Sequence, residues 1–306
     1  MKDFQLTLNF YSGAGLDRAD EKRGDAIWLA DRLADPGSAF LPLWRARNLI
    51  AEEADPRALW LSQAEAAPLI ARAIEVIFLG LDGFTACFAL DLSPLEEAEA
   101  AALAGGHFVD LRSVGALLSR AEGSRLAYAR GLAYWHERHR FCGVCGNPTV
   151  SQAAGHQRRC SNAACAAQQF PRTDPAVIML LTDGTRCLLG RQAVWPAGMR
   201  STLAGFVEPG ESLEEAVKRE VMEEVGLEVE ALAYHSSQPW PFPASLMVGF
   251  WARVPAREPR INRAELEDAR WFTRAELETS PEDECLRLPR RDSIARRLIA
   301  DWLAED

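Results

Sequence analysis

The chain contains no apolar run approaching the roughly 20 residues that span a bilayer, so no membrane-spanning helix is expected. Its opening, MKDFQLTLNFY, has no basic region followed by an apolar stretch, and its last residues, DWLAED, form neither a lipidation motif nor a peroxisomal address. The expected location is the cytoplasm. A basic excess is also missing. Against 34 Lys and Arg stand 44 Asp and Glu, a net charge of −10. The overall field would repel nucleic acid and phosphates. An anionic substrate would therefore need bound cations or a local basic patch. No internal repeat and no low-complexity tract is present. Seven cysteines in a cytoplasmic chain do not suggest a disulfide framework.

What is there reads as a soluble globular protein of more than one domain, since 306 residues exceed the usual single core. IEVIFLGLDG and FTACFALDLS look like two strands of a hairpin around Leu81-Asp82-Gly83. From Ser113 to about His139 the apolar spacing is helical, with Gly123 expected to break the run in two. After FPRTDP, AVIMLLTDGTRCLLGRQ reads as two strands joined by an Asp-Gly turn. LEVEALAYHSS and LMVGFWARV read as further strands, and DSIARRLIADWLA as a closing amphipathic helix capped at Asp292 or Ser293. The fold class is α+β or α/β.

Four of the cysteines fall in two close pairs, Cys142-Gly-Val-Cys145 and Cys160-Ser-Asn-Ala-Ala-Cys165. Four thiolates at this spacing suit one tetrahedral structural zinc, which leaves no open position for water. Glycines after Cys142 and Cys145 let backbone amides approach the sulfurs. His156 is the alternative ligand. Cys87, Cys187 and Cys285 read as ordinary core or surface residues, and Trp135, His136 and His139 as packing or solvated groups of the preceding helix.

The strongest local signal begins at Gly205: GFVEPGESLEEAVKREVMEEVGLE. Pro209-Gly210 makes a turn, Ser212 and Glu215 form a capping box, and Gly226 ends the helix. Leu213, Val217, Val221 and Val225 form an apolar stripe at about 100° per residue. Glu220 and Glu224 fall inside or beside that stripe, with Glu223 on its flank. Carboxylates aimed at a packed face are costly unless paired or holding a cation. Converging oxygen ligands without Cys or His suit magnesium or manganese.

This array, Gly-x5-Glu-x7-Arg-Glu-Val-x-Glu-Glu-x-Gly-Leu, resembles a complete Nudix box, the signature of hydrolases of nucleoside diphosphates linked to another moiety. The order of motifs narrows the likeness: four cysteines, FPRTDPAVI, the box, then SQPWPFPAS. It is similar to the NADH pyrophosphatase (NudC-like) branch of that family over roughly residues 110 to 306. The resemblance implies a Nudix fold, a mixed β-sheet sandwiched by helices, over residues 171–306. A zinc ribbon would cover 131–170, and an N-terminal α+β domain 1–130.

It also implies roles for individual residues. Glu220, Glu223, Glu224, Glu265 and the carbonyl of Ala204 would hold two to three magnesium or manganese ions, with Glu223 a further ligand or the group that activates water. Glu211 and Arg219 would brace the loop on the helix. Phe170 and Phe206 would face the two sides of a nicotinamide ring. Gln238, Pro239, Trp240, Pro241, Phe242, Pro243, Ala244 and Ser245 would line the pocket, with Ala295 and Arg112 also contacting substrate. AGHQRRC, before the third cysteine, lacks the acidic residue often found there, and no role is carried over.

The implied reaction cuts the central pyrophosphate of NADH or NAD, giving nicotinamide mononucleotide and AMP. NAD-capped RNA is a further implied substrate, and a homodimer the implied assembly. Three substrates that share one nicotinamide nucleotide end are not ranked by sequence. The rival readings are another Nudix specificity, for ADP-ribose or a diadenosine polyphosphate, and a regulator whose ribbon binds nucleic acid while the Nudix domain senses a ligand.

Overall fold

A computed structural model describes residues 8–51 and 55–305. They group into two compact units. One holds Tyr11–Arg172 and the four residues Pro241–Ala244; the other holds the described residues through Phe10, Thr173–Trp240 and the chain from Ser245 onward. A helix, Arg120–Arg138, runs through residues 130 and 131, and the first sheet and the cysteine segment lie in one unit.

The Tyr11–Arg172 unit is built on a six-stranded sheet. Its strands are β1 (Ala39–Trp44), β2 (Arg47–Ile50), β3 (Leu61–Ser62), β4 (Glu75–Asp82), β5 (Thr85–Asp91) and β6 (His107–Val109). The order is β4-β5-β1-β2-β6, with β3 beside β1. The expected hairpin is β4 and β5, antiparallel around Gly83. Phe40, Phe78 and Phe88 pack at the centre of its core with Leu49, Leu69 and Leu90. The helices are α1 (Ala26–Ala34), α2 (Gln63–Ile70), α3 (Glu97–Ala104), α4 (Leu111–Val114) and α5 (Arg120–Arg138). The break expected at Gly123 lies earlier, where Leu118 and Ser119 are extended. Ser119 caps α5, so Gly123 sits buried in the first turn and interrupts nothing.

After α5 come the short strands β7 (Thr149–Gln152), β8 (Gln157–Cys160) and β9 (Gln168–Gln169), paired in that order. The turn between β7 and β8 lies against β4, the edge strand of the large sheet. There His156 Nε2 donates to the Phe78 carbonyl at 2.7 Å. Gly155, at φ +91°, approaches so closely that a Cβ would meet Ile77 at 2.9 Å. Asp17 pairs with Leu81 farther along the same edge. Backbone groups that would otherwise invite strand addition are thereby covered.

Arg158 ties the two parts together from β8. Its guanidinium donates to Thr149 Oγ1 (2.8 Å), the Thr149 carbonyl (3.0 Å), His136 Nδ1 (2.7 Å) and Glu75 Oε1. His136 Nε2 in turn donates to the Gly155 carbonyl at 2.8 Å, and its Nδ1 lies 3.3 Å from Glu75 Oε1.

The second unit carries a mixed sheet of β10 (Asp174–Thr182), β11 (Arg186–Arg191), β12 (Leu203–Phe206), β13 (Ala231–Trp240), β14 (Ser245–Arg253) and β15 (Asp268–Thr273). The order is β13-β14-β10-β11-β15, with β12 also on β10 and the β10–β14 pair parallel. Helices α6 (Leu213–Val225), α7 (Arg274–Glu278) and α8 (Ile294–Ala304) accompany it. β10 shows why its sequence is an unbroken apolar run. Val177, Met179 and Leu181 face α6 with Val217, Val221 and Val225, while Ile178 and Leu180 face α8 with Leu298 and Ile299. Both faces of the strand are covered. Within SQPWPFPAS, Ser237–Trp240 ends β13, a turn follows, and Ser245 pairs back with Trp240.

Breaking one partner of the buried Arg158–Glu75 pair leaves a carboxylate without its cation. Arg158→Met is expected to cost roughly 3 kcal/mol, read from urea denaturation followed by circular dichroism. A loss below about 0.5 kcal/mol would match an ordinary surface change and contradict this account.

Candidate active site and zinc centre

The four paired cysteines come together as their spacing implied. Their sulfurs all lie within 4.8 Å of one another, with Cys145 to Cys160 at 3.4 Å and Cys142 to Cys165 at 3.8 Å. None is in a disulfide. Zn–S bonds of about 2.3 Å at tetrahedral angles require sulfurs roughly 3.8 Å apart. The donor set therefore fits one structural zinc. The backbone N–H of Asn147, then its side-chain amide, holds the Cys145 thiol down at about 6, ready to ionise. Burial pushes Cys160 up to about 12, so a full set of thiolates needs a cation. The Val144 N–H points at Cys142 Sγ at 3.4 Å, the backbone approach expected of the knuckle. His156 stands elsewhere, bonded to Phe78, with burial holding its pKa down at about 4.

α6 folds as its pattern dictates: Ser212 and Glu215 form a reciprocal capping box, and Gly226 closes it at φ +64°. Its apolar stripe docks on β10, which forces the neighbouring Glu220 and Glu224 under the sheet, 8% and 4% exposed. Glu220 lies directly against β12. A Cβ on Gly205 would sit 1.9 Å from its carboxylate, so glycine there is a requirement of space and not of backbone angle. Arg219 braces this arrangement from four sides. Its fork donates to Glu211 (Nε–Oε1 2.6 Å, Nη2–Oε2 2.9 Å), to Glu220 (2.8 Å), to Glu223 (3.0 Å) and to the Phe206 carbonyl (2.8 Å). The Arg219 fork, with the Glu208 N–H, holds Glu211 down at about 2.

Oxygens of Glu220, Glu224 and Glu265 lie within 4.8 Å of one another. Glu223 is not in this group; its exposed carboxylate is held on Arg219. The convergence expected of three helix carboxylates is thus made by two of them and Glu265 from a later loop. Glu224 Oε2 is buried with no hydrogen-bond partner. Burial first, then the charges of Glu220, Glu265 and Glu223, push its carboxyl up to about 8. Burial also raises Glu220. A buried, unpartnered oxygen among three hard carboxylates is a donor set that a divalent cation satisfies. The cleft around them, about 540 Å³, is lined by Ala204 and Phe206 and also by Gln192 and Val194. The last two were not anticipated, because nothing in the β11–β12 loop marks it locally.

A second cavity, about 220 Å³, lies on the α8 side of the same sheet. Trp240, Gln238 and Ala295, all expected at a substrate pocket, line it together with Met199, Met247 and Arg290. Gln238 is wholly buried, and its hydrogen bonds go to the protein. Oε1 accepts from Ile294 N at 2.7 Å, and Nε2 donates to the carbonyls of Asp292 (2.7 Å) and Phe10 (3.1 Å). Pro239 pairs with Leu246 in the β13–β14 ladder, and Ser245 begins β14.

The remaining expected residues lie in the other unit. Phe242, with Pro241, Pro243 and Ala244, groups there; Arg112 donates to the Phe242 carbonyl at 3.2 Å and stacks on its ring at 4.8 Å. Arg130 donates to the Pro241 carbonyl at 2.9 Å. Phe170 is 60% exposed in that unit, and Phe206 61% exposed beside the carboxylates. Two exposed phenylalanines are available for ring stacking.

A capped helix that feeds buried carboxylates to a glycine-bearing strand, on a mixed sheet between two helices, defines a Nudix domain, and residues 172–296 match the NUDIX domain family model. Residues 37–135 match the NADH pyrophosphatase-like rudimentary NUDIX domain and 137–170 the NADH pyrophosphatase zinc ribbon domain. The chain belongs to the NADH pyrophosphatase (NudC-like) branch of the Nudix hydrolase family. It is 39% identical to the NAD-capped RNA hydrolase NudC of Mycobacterium bovis over 99% of this chain and 97% of that one. It is 34% identical to the human NAD-capped RNA hydrolase NUDT12 over 96% of this chain and 73% of that one. A solved NUDIX hydrolase from Nitrosomonas europaea aligns at TM-score 0.44 and 21% identity, covering 54% of this chain and 91% of that one.

Gly205→Ala should leave the fold intact but push the Glu220 carboxylate aside, lowering divalent-metal affinity at least about tenfold, measured by manganese titration. Because Glu224 is protonated below about 8, a cation entering the site must displace its proton. Metal affinity should therefore rise with pH up to about 8 and level off above it, with about one proton released per site near pH 7. Calorimetry in buffers of different ionisation enthalpy reads that proton; a pH-independent affinity would refute the assignment.

Proposed function

We propose that this chain is a divalent-metal-dependent diphosphatase that cuts the central pyrophosphate of NADH and NAD into nicotinamide mononucleotide and AMP, and that it removes NAD caps from RNA 5′ ends. The unpartnered, buried Glu224 oxygen among Glu220 and Glu265 carries the hydrolytic part of this reading. Relatives named as NAD-capped RNA hydrolases, similar over nearly the whole chain, support the substrate.

In this reading Glu220, Glu224, Glu265 and the Ala204 carbonyl would hold two to three magnesium or manganese ions, with Glu223 as a further ligand or the group that would activate water. Bound ions neutralise the diphosphate and lower the pKa of water. The chain's own residues supply the positioning. Arg219, braced by Glu211, keeps Glu220 and Glu223 at fixed angles, so little reorganisation is needed at the moment of reaction. Phe206 and Phe170 offer faces for the nicotinamide ring. The Gln238–Ser245 segment, Ala295 and Arg112 shape the nucleotide pocket. The zinc at Cys142, Cys145, Cys160 and Cys165 is structural. The same reading includes an N-terminal domain through residue 130, a ribbon from 131 to 170, a Nudix domain from 171, a homodimer and a cytoplasmic location. No helix among the described residues is long and apolar enough to cross a membrane.

The test is turnover of NADH, NAD, ADP-ribose and NAD-capped RNA side by side, for the unaltered protein and Glu224→Gln. NADH, NAD and capped RNA should be cleaved faster than ADP-ribose, and the glutamine variant should lose about a hundredfold or more in kcat. Equal rates on ADP-ribose and NADH would sink the nicotinamide specificity, and an active glutamine variant would sink the metal site.

A further inference from the structure

Asn9 lies ahead of the first sheet in sequence, yet it is packed into the catalytic unit at 4% exposure. Its amide spans two elements. Nδ2 donates to Ser236 Oγ at 2.9 Å and to the Ser237 carbonyl at 2.7 Å, both on β13. Oδ1 accepts from Arg297 Nη1 at 2.9 Å, on α8. The next residue continues the tie, since the Phe10 carbonyl accepts from Gln238 Nε2 at 3.1 Å. β13 and α8 are the elements that present Trp240 and Ala295 to the 220 Å³ cavity. A buried amide using both ends on two walls sets the distance between them, because each bond is lost if the walls separate.

We propose that Asn9 is a positioning residue for substrate binding: it clamps β13 to α8 and so sets the width of the cavity between Trp240 and Ala295. This rests on the reading of that cavity as part of the nucleotide pocket. Asn9 touches neither the cavity nor the carboxylates; it acts through Ser236, Ser237 and Arg297. Holding the walls at their bound spacing beforehand lowers the ordering cost of binding, which belongs to KM and not to the chemical step.

Two variants test it. Asn9→Ala removes both ties. Asn9→Asp keeps the Arg297 contact and can accept from the Ser236 hydroxyl, but sets a carboxylate oxygen against the Ser237 carbonyl, so that bond to the strand is replaced by repulsion. For both, KM for NADH should rise about fivefold or more, with kcat within about twofold and manganese affinity unchanged. Amide exchange at Ile294 and Ala295, read by mass spectrometry on the full chain, should quicken in both. Unchanged KM and exchange in Asn9→Ala would overturn the proposal. So would wild-type behaviour of Asn9→Asp, or a parallel fall in kcat and metal affinity, which would mark general loosening. Should the unaltered protein cleave none of the dinucleotides, the functional reading fails, while the exchange measurement still decides whether Asn9 holds the wall.

Discussion

A carboxylate pressed against a strand that has no side chain at that point organises the catalytic unit. Glu220 fits because Gly205 leaves the space, and it lies there because the valine stripe of α6 is buried on β10. Hydrophobic burial of one helix face thus drives two glutamates out of water, at an electrostatic cost. Arg219 answers part of that cost for Glu220, while one oxygen of Glu224 is left unanswered. The site is built around a charge deficit, and a divalent cation is the group that fills it.

The same logic applies at the cysteine centre with softer ligands. Four thiols are held at the spacing of a tetrahedron, one pulled toward ionisation by backbone N–H groups and another pushed away from it by burial. A cation reconciles the two. Around this centre the ribbon does structural work beyond itself. Arg158, two residues before Cys160, satisfies Glu75 and His136, and His156 covers the edge of β4. Metal, short strands and sheet edge are linked by a few charged or polar side chains, as a segment too small for its own core requires.

SQPWPFPAS illustrates how far a motif can be divided by its fold. Gln238 spends its amide on the start of α8 and on the Phe10 carbonyl, Trp240 faces a cavity, and Phe242 stacks with Arg112 in the other unit. Nine consecutive residues therefore serve as clamp, wall and packing.

Periodicity and spacing determined much on their own. The cysteine pairs, the capped helix with Gly226 at its end, the β4–β5 and β10–β11 hairpins and the identity of Glu220 and Glu224 all follow from local rules of turn chemistry, capping and ligand count. Those rules act over a few residues and survive any tertiary arrangement. Where Gly123 sits relative to a helix start, which glutamate leaves the cluster for Arg219, and how Gln192 and Val194 come to line the cleft were decided only by the tertiary structure. So was the attachment of Asn9 to a unit whose main sequence begins at Thr173. Each of these depends on contacts between segments far apart in the chain, whose geometry is set by sheet order and helix packing and leaves no periodic trace in the residues themselves.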